Sequence, residues 1–331
     1  MRKEYEMAYP SLSRAVEGFI LSKSSSGRSP NTIRNYKQEL GRFADWLGDI
    51  PIDDISSRQL KEYMKFLRDE FRITHVATTP ISPRKLSSKS LRNTWGTLSS
   101  FWNWASKEFG LDSPFNLIPV KAHTKPINPL SMDEIEKLLK GCETSIKLSR
   151  GKKTFASKRR TCKRDRAIIL TLLDTGIRVS ELCGITVKDV DFDSGRILVT
   201  GKGNKSRYVY LGKVSRQAIW RYLIERFPSE KPKLDEPLFI SYNGIYGLSR
   251  QGILLLLKRL GEKAGVKNVY PHRFRHTFSI QFLRNGGNVF ELQQLLGHSD
   301  LAMVKRYVMI ASLDLEMIVK KASPADNWRL R

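Results

Sequence analysis

Residues 115–129 constrain this chain more than any other stretch, because Pro119, Pro126 and Pro129 stand there among Lys121, His123 and Lys125. Each proline fixes φ and removes a backbone donor, so the stretch favours neither helix nor sheet and reads as an extended basic linker. A chain of 331 residues interrupted at that point has material for two cores rather than one. The expected division is a first domain over residues 1–116, a linker over 117–130 and a second domain over 131–331.

The first domain reads as helical. Ser29 caps, Pro30 suits a first turn, and Ile33, Tyr36, Leu40, Phe43 and Leu47 follow at helical spacing. A second amphipathic helix begins near Ser57, with Leu60, Tyr63, Met64 and Leu67 on one face. A third begins near Ser88 and carries Leu91, Trp95, Leu98, Phe101, Trp102 and Ala105. Residues 74–89 combine Thr, Ser, Pro and basic side chains and are predicted to be a loop, with Arg84, Lys85 and Lys89 offered to phosphates. The first 115 residues are thus expected to be all-helical.

The second domain opens on Ser131 and Glu134, spaced to satisfy each other's free backbone donors ahead of Ile135, Leu138 and Leu139. Residues 147–166 are dense in lysine and arginine with Asp165 as the single acid, which reads as a solvated loop or, beside DNA, as a phosphate contact. Ile168, Ile169, Leu172 and Leu173 predict a helix ending at Thr175 and Gly176. Another helix starts at Val179, and Arg178 lies in the turn between them. Residues 196–200 and 206–211 are β-prone runs around Gly201, Gly203 and Asn204, a hairpin signature that presents Lys202. The remainder is helical, with breaks at Gly286, Gly287 and Gly297. The predicted fold class is therefore mostly α with a small antiparallel β-sheet.

Lysine and arginine total 58 against 33 acidic residues, a formal charge of +25 that repels itself unless a polyanion is the usual partner. Nucleic acid comes first, although a ribosomal or membrane-surface protein would show the same excess. No apolar run approaches the roughly 18 residues of a membrane span, and the N-terminus lacks the hydrophobic core of a signal peptide. The expected location is the cytoplasm, in association with the nucleoid. Cys142, Cys162 and Cys183 are odd in number and lack a C-x-x-C spacing, so they imply neither a disulfide framework nor a zinc site.

Three short patterns remain: Thr175-Gly176-Ile177-Arg178-Val179-Ser180-Glu181-Leu182, Pro271-His272-Arg273-Phe274-Arg275-His276, and Leu295-Leu296-Gly297-His298-Ser299-Asp300 followed by Tyr307. With Lys202 on its hairpin, their order resembles the tyrosine recombinase (phage integrase) family, in its Xer-like two-domain form. The resemblance runs through the second domain and extends to the first in general character. It implies a SAM-like core-binding domain followed by an integrase-type catalytic domain, with Arg178, Lys202, His272, Arg275, His298 and Tyr307 as active-site positions. Taken singly, each of these residues has an ordinary structural explanation; a tyrosine spaced from Val304 and Ile310 like Tyr307 is usually a half-buried core residue.

Phosphoryl transfer explains why such residues would be gathered. Attack on a DNA phosphodiester builds charge on the nonbridging oxygens, and two forked, permanently cationic guanidinium groups answer that charge, which is the role of Arg178 and Arg275. Tyr307 would be the nucleophile, but a phenol with a reference pKa near 10 must lose its proton, and His272 is the expected acceptor. By resemblance Lys202 protonates the leaving 5′ oxygen, and His298 donates a hydrogen bond to phosphate. His276 is read as structural, Lys205 and Arg207 as contacts to DNA backbone or solvent rather than catalytic residues, and Lys121 and Lys125 of the linker as DNA contacts. A 3′-phosphotyrosine conserves the bond energy, so neither ATP nor a metal or other cofactor is expected.

The family's usual arrangement implies a clamp around double-stranded DNA and a homo-tetramer on two DNA sites. Further partners of that kind are an accessory DNA-bending protein or a partner recombinase, with the C-terminal helix near residues 313–321 docking into a neighbouring copy. A first helix near Leu12 leaves no room for a lambda-type arm-binding domain, which favours the Xer-like layout. Residues 74–89 and 147–166 depart from the compact Xer pattern, so a mobile-element integrase is preferred over a chromosome or plasmid dimer resolvase. The rivals from other classes are a DNA-binding protein without catalysis and a type IB topoisomerase.

Overall fold

The computed structural model describes residues 9–76, 79–116, 118–121, 126–148, 154–244, 246–297, 302–311, 319 and 323–328. The chain divides into two compact units, Met1–Lys125 and Pro126–Arg331.

In the first unit, α1 (Leu12–Ser25), α2 (Pro30–Leu47), α3 (Ser57–Asp69) and α4 (Ser88–Phe109) enclose one core. The caps act as their sequence dictates. The Ser29 hydroxyl accepts the Thr32 N–H at 3.3 Å, and Ser56 and Gln59 exchange bonds across the first turn of α3. Leu12, Phe19, Leu40, Phe43, Leu60, Tyr63, Leu98, Phe101 and Trp102 are fully buried. Phe19 meets Phe101 edge-on with ring centres 5.6 Å apart, so the aromatic positions of α1 and α4 form one seam.

Residues 74–89 are not simply a loop. Strands β1 (Ile73–Val76) and β2 (Thr79–Arg84) pair antiparallel, with Ile73 opposite Arg84 and Val76 opposite Thr79. Among the described residues, the first 115 are therefore helical with one hairpin. Ile73, Thr74, Val76, Thr79 and Ile81 favour the pleated strand, and a two-stranded ladder consists of edges, where Pro80 and Pro83 cost no central hydrogen bond.

The second unit begins with α5 (Met132–Glu143), whose Ser131–Glu134 box is closed by bonds of 2.9 and 3.1 Å. The basic stretch after it also folds: β3 (Thr144–Leu148) and β4 (Thr154–Lys158) form a second antiparallel hairpin, and residues 162–166 already belong to α6 (Cys162–Thr175). Density of charge hid an ordinary alternation there. Helix α6 is central, with Ala167, Ile168, Ile169 and Leu172 fully buried. Next come α7 (Val179–Gly184), the hairpin β5 (Arg196–Thr200) and β6 (Ser206–Tyr210), α8 (Lys213–Arg226) and α9 (Arg250–Ala264). Thr200 faces Ser206 across the third hairpin's turn, where Gly203 and Asn204 take positive φ of 75° and 57°.

Helices α10 (Pro271–Arg284), α11 (Val289–Leu296) and α12 (Ala302–Ala311) enclose a smaller apolar cluster of Ile280, Leu292, Leu296, Val304 and Tyr307. The start of the unit is stitched to α10. Arg273 donates to the carbonyls of Asn128 and Pro129 and to the Glu134 carboxylate, and the Leu130 N–H bonds the Thr277 hydroxyl at 2.7 Å. Among the described residues, no helix is long and apolar enough to cross a membrane. The segment 313–321, expected to hold a docking helix, lies outside the described residues apart from 319.

Candidate active site

Three of the expected residues gather where α6 ends, α7 begins and α10 to α12 converge. Gly176 ends α6 in the left-handed region with φ 58°, and a Cβ there would stand 2.4 Å from Phe278 of α10. Only glycine lets α10 approach so closely. That approach places Arg275 against the turn, where it donates to the Gly176 carbonyl and the Leu296 carbonyl, each at 2.8 Å. Burial, followed by the charge of nearby Arg178, pushes the Arg275 guanidinium down to about 10, still well above neutrality, so it keeps its charge.

Arg178 stands at the N-terminus of α7 and is tied to Glu181 one turn later. The Glu181 carboxylate accepts the Arg178 backbone N–H at 2.8 Å and its guanidinium at 2.8 Å. The same carboxylate receives two N–H groups of Arg207, at 3.0 and 2.9 Å. Burial alone would raise the Glu181 carboxyl, but the bonds from Arg207 and Arg178 outweigh it and hold the group below its ordinary value. It is thus an anion that fixes two cations.

The C-terminal end of α11 completes the cradle. Its last carbonyls point at the three arginines: Leu295 O accepts from Arg207 at 2.7 Å, Leu296 O from Arg275, and Gly297 O from Arg178 at 3.3 Å. A helix C-terminus carries partial negative charge, so it holds guanidinium groups in place without neutralising them. His298 is the next residue along the chain and lies outside the described residues.

Tyr307, on α12, is 1% exposed, with its ring in the cluster of α10 to α12. Its hydroxyl stands 2.9 Å from Nδ1 of His276, the neighbour of Arg275. His272, in the first turn of α10, is exposed. Lys202 lies in the turn between β5 and β6, and its side chain is outside the described residues.

Sequence reasoning passed over Glu181 as a site residue, took His276 as structural and turned Arg207 outward to DNA. The guanidinium of Arg207 points inward instead, a position legible in principle because strand alternation puts Arg207 on the face of buried Val209. The spacing Arg178-x-x-Glu181 at a helix start was a similar signal. Of the other residues read as DNA contacts, Arg84, Lys85, Lys89, Lys121 and Lys205 are exposed, and Lys125 lies outside the described residues.

Comparison with known proteins gives one answer. Residues 128–312 match the phage integrase family and residues 12–115 match the phage integrase SAM-like domain. Tyrosine recombinase XerC of Oceanobacillus iheyensis is 30% identical over 318 residues, spanning 94% of this chain and 95% of that protein. Tyrosine recombinase XerD of Listeria innocua is 30% identical over 308 residues, spanning 90% and 94%. Among solved structures, the Tn1549 transposon integrase in complex with transposon right end DNA superposes with a TM-score of 0.69 at 21% identity, covering 95% of this chain and 99% of that one. XerH bound to its palindromic difH substrate gives 0.65 at 20% identity, covering 93% and 84%.

Proposed function

Since the chain belongs to the phage integrase family of tyrosine recombinases, we propose that Tyr307 attacks a DNA phosphate held by Arg178 and Arg275 and carries the strand as a 3′-phosphotyrosine. The enzyme is a site-specific DNA recombinase. The observation that supports these roles is the buried Tyr307 hydroxyl beside Arg275, with Arg178 and Arg207 braced on one carboxylate next to it. An attacking phenol there meets a phosphate whose growing charge falls on fixed cations, so stabilisation requires no rearrangement of solvent. Lys202 is assigned the proton for the leaving 5′ oxygen and His298 a hydrogen bond to phosphate.

Double-stranded DNA carrying a recombination site is the partner, with four copies acting on two sites. The biological reading is a mobile-element integrase, favoured by the hairpins β1–β2 and β3–β4 at the two places where a compact Xer pattern is exceeded. Dimer resolution is the second reading, favoured by the XerC and XerD relatives that span nearly the whole chain. Recovering the bound DNA and placing two copies of it on one plasmid separates them. Resolution of directly repeated sites to two circles without accessory element ends supports the resolvase.

The chemistry is tested with a suicide substrate nicked beside the scissile phosphate. Wild type is expected to trap a covalent adduct, and Tyr307→Phe to bind the same DNA within a fewfold and trap none. An adduct formed by Tyr307→Phe would assign the nucleophile elsewhere.

A further inference from the structure

We propose that His276 is a further catalytic residue, which holds the Tyr307 hydroxyl and receives its proton as the phenol attacks phosphate. The inference rests on Tyr307 being the nucleophile and extends that reading to the atom that activates it.

The contact is heteroatom to heteroatom: His276 Nδ1 stands 2.9 Å from the phenolic oxygen, with the ring centres 5.6 Å apart and the planes tilted by 52°. Tyr307 cannot turn freely around it. Its ring packs with Ile280, Leu292, Leu296 and Val304, so moving the phenol away means opening the cluster between α10, α11 and α12. His276 follows Arg275 on α10, and Arg275 is pinned by the Gly176 and Leu296 carbonyls. One rigid helix segment therefore carries both the group that binds the phosphate and the group that touches the attacking oxygen. His272, the residue expected to take the proton, is itself exposed in the first turn of that helix.

A phenol near its reference pKa of about 10 is almost wholly protonated at neutral pH, whereas a neutral imidazole can accept a proton there. In cleavage, the Tyr307 O–H bond breaks, its oxygen forms the O–P bond, and the proton passes to Nδ1 of His276. The P–O5′ bond breaks with its electron pair on the 5′ oxygen, which takes a proton from Lys202. In rejoining, the incoming 5′ hydroxyl gives its proton back to Lys202 as its oxygen forms the P–O bond, the O–P bond to Tyr307 breaks, and His276 returns its proton to the Tyr307 oxygen. No atom is oxidised or reduced.

The test is single-turnover cleavage of the nicked substrate by the full chain, comparing His276→Asn, which keeps a hydrogen-bonding group near the Nδ1 position but takes no proton, with His276→Phe, which keeps the ring volume. Among the described residues, the other titratable groups around the pair are His272 and Arg275 on α10 and Arg178, Glu181 and Arg207 beside them, all retained in both variants. Both variants should bind DNA as wild type does and cleave at least about 100-fold more slowly. The His276→Asn rate should climb with pH as phenolate forms unaided, where wild type levels off. Replacing the bridging 5′ oxygen by sulfur, a leaving group that needs no acid, should restore Lys202→Ala and leave His276→Asn slow. Cleavage by His276→Asn within threefold of wild type, or its rescue by the sulfur substrate, would overturn the proposal. The reading beneath it fails separately, if peptide mapping places the wild-type adduct on a tyrosine other than Tyr307.

Discussion

Glu181 touches no reacting atom, yet two of the three site arginines are oriented by its carboxylate. Its side chain is fully buried between Arg178 and Arg207. Removing one member of a buried ion pair leaves the other charged and uncompensated, a loss of about 3 kcal/mol or more. Glu181→Ala should therefore lower the unfolding free energy by about that amount in urea titrations and slow cleavage as Arg178 loses its brace. The pH dependence follows from the direction of the shift. The folded carboxyl lies below its ordinary 4.5, so the stability it adds is complete above about pH 4.5 and is lost as pH falls below it. Glu181→Gln should flatten that acid limb, and an unchanged limb between pH 3 and 5 would deny the carboxylate this role. At this scale the sequence displayed the reacting residue types by their order, and the structure brings Arg178, Arg275 and Tyr307 together. It did not display their supports, because a buried pair such as Glu181 with Arg207 joins two elements and has no local signature.

The elements were legible where a cap or a period announced them, as with Ser29 for α2, Ser131 and Glu134 for α5, and Gly203 and Asn204 for the turn after β5. They were illegible where charge or proline masked alternation, which is why β1–β2 and β3–β4 read as loops. Gly176 shows how much one element end carries. Any Cβ there meets left-handed backbone strain together with overlap against Phe278. Gly176→Ala should cost roughly 2–4 kcal/mol in denaturant unfolding, from about 1–2 for the backbone and the rest from overpacking. Because the same turn's carbonyl binds Arg275, the variant should also cleave more slowly at temperatures where it stays folded. The basic arm gives a second prediction. If the basic residues of this hairpin meet phosphates, replacing β3–β4 by a short neutral turn should reduce the slope of log affinity against log salt by about 0.9 for each contact removed, leaving suicide-substrate cleavage at saturating protein unchanged. An unchanged slope would make the arm a solvated hairpin.

For the molecule as a whole, a charge of +25 provides an attraction to DNA without sequence preference, so specificity must come from contacts to base edges and DNA shape. The structure bears on which phosphate the tyrosine reaches. Tyr307 is held by His276 of its own chain, and its ring is buried in its own α10 to α12 cluster. An enzyme that lent its tyrosine to a neighbour would have to open that cluster in every cycle. The expectation is therefore cleavage in cis, each copy cutting the phosphate that its own arginines hold. Mixing Tyr307→Phe with Arg178→Ala on half-site DNA distinguishes the cases. In trans, the intact arginines of one variant and the intact tyrosine of the other combine into a working site, and an adduct forms on the Arg178→Ala chain. In cis, every site lacks either nucleophile or phosphate clamp, so the mixture should trap no more adduct than the two proteins do separately, at any ratio of the two.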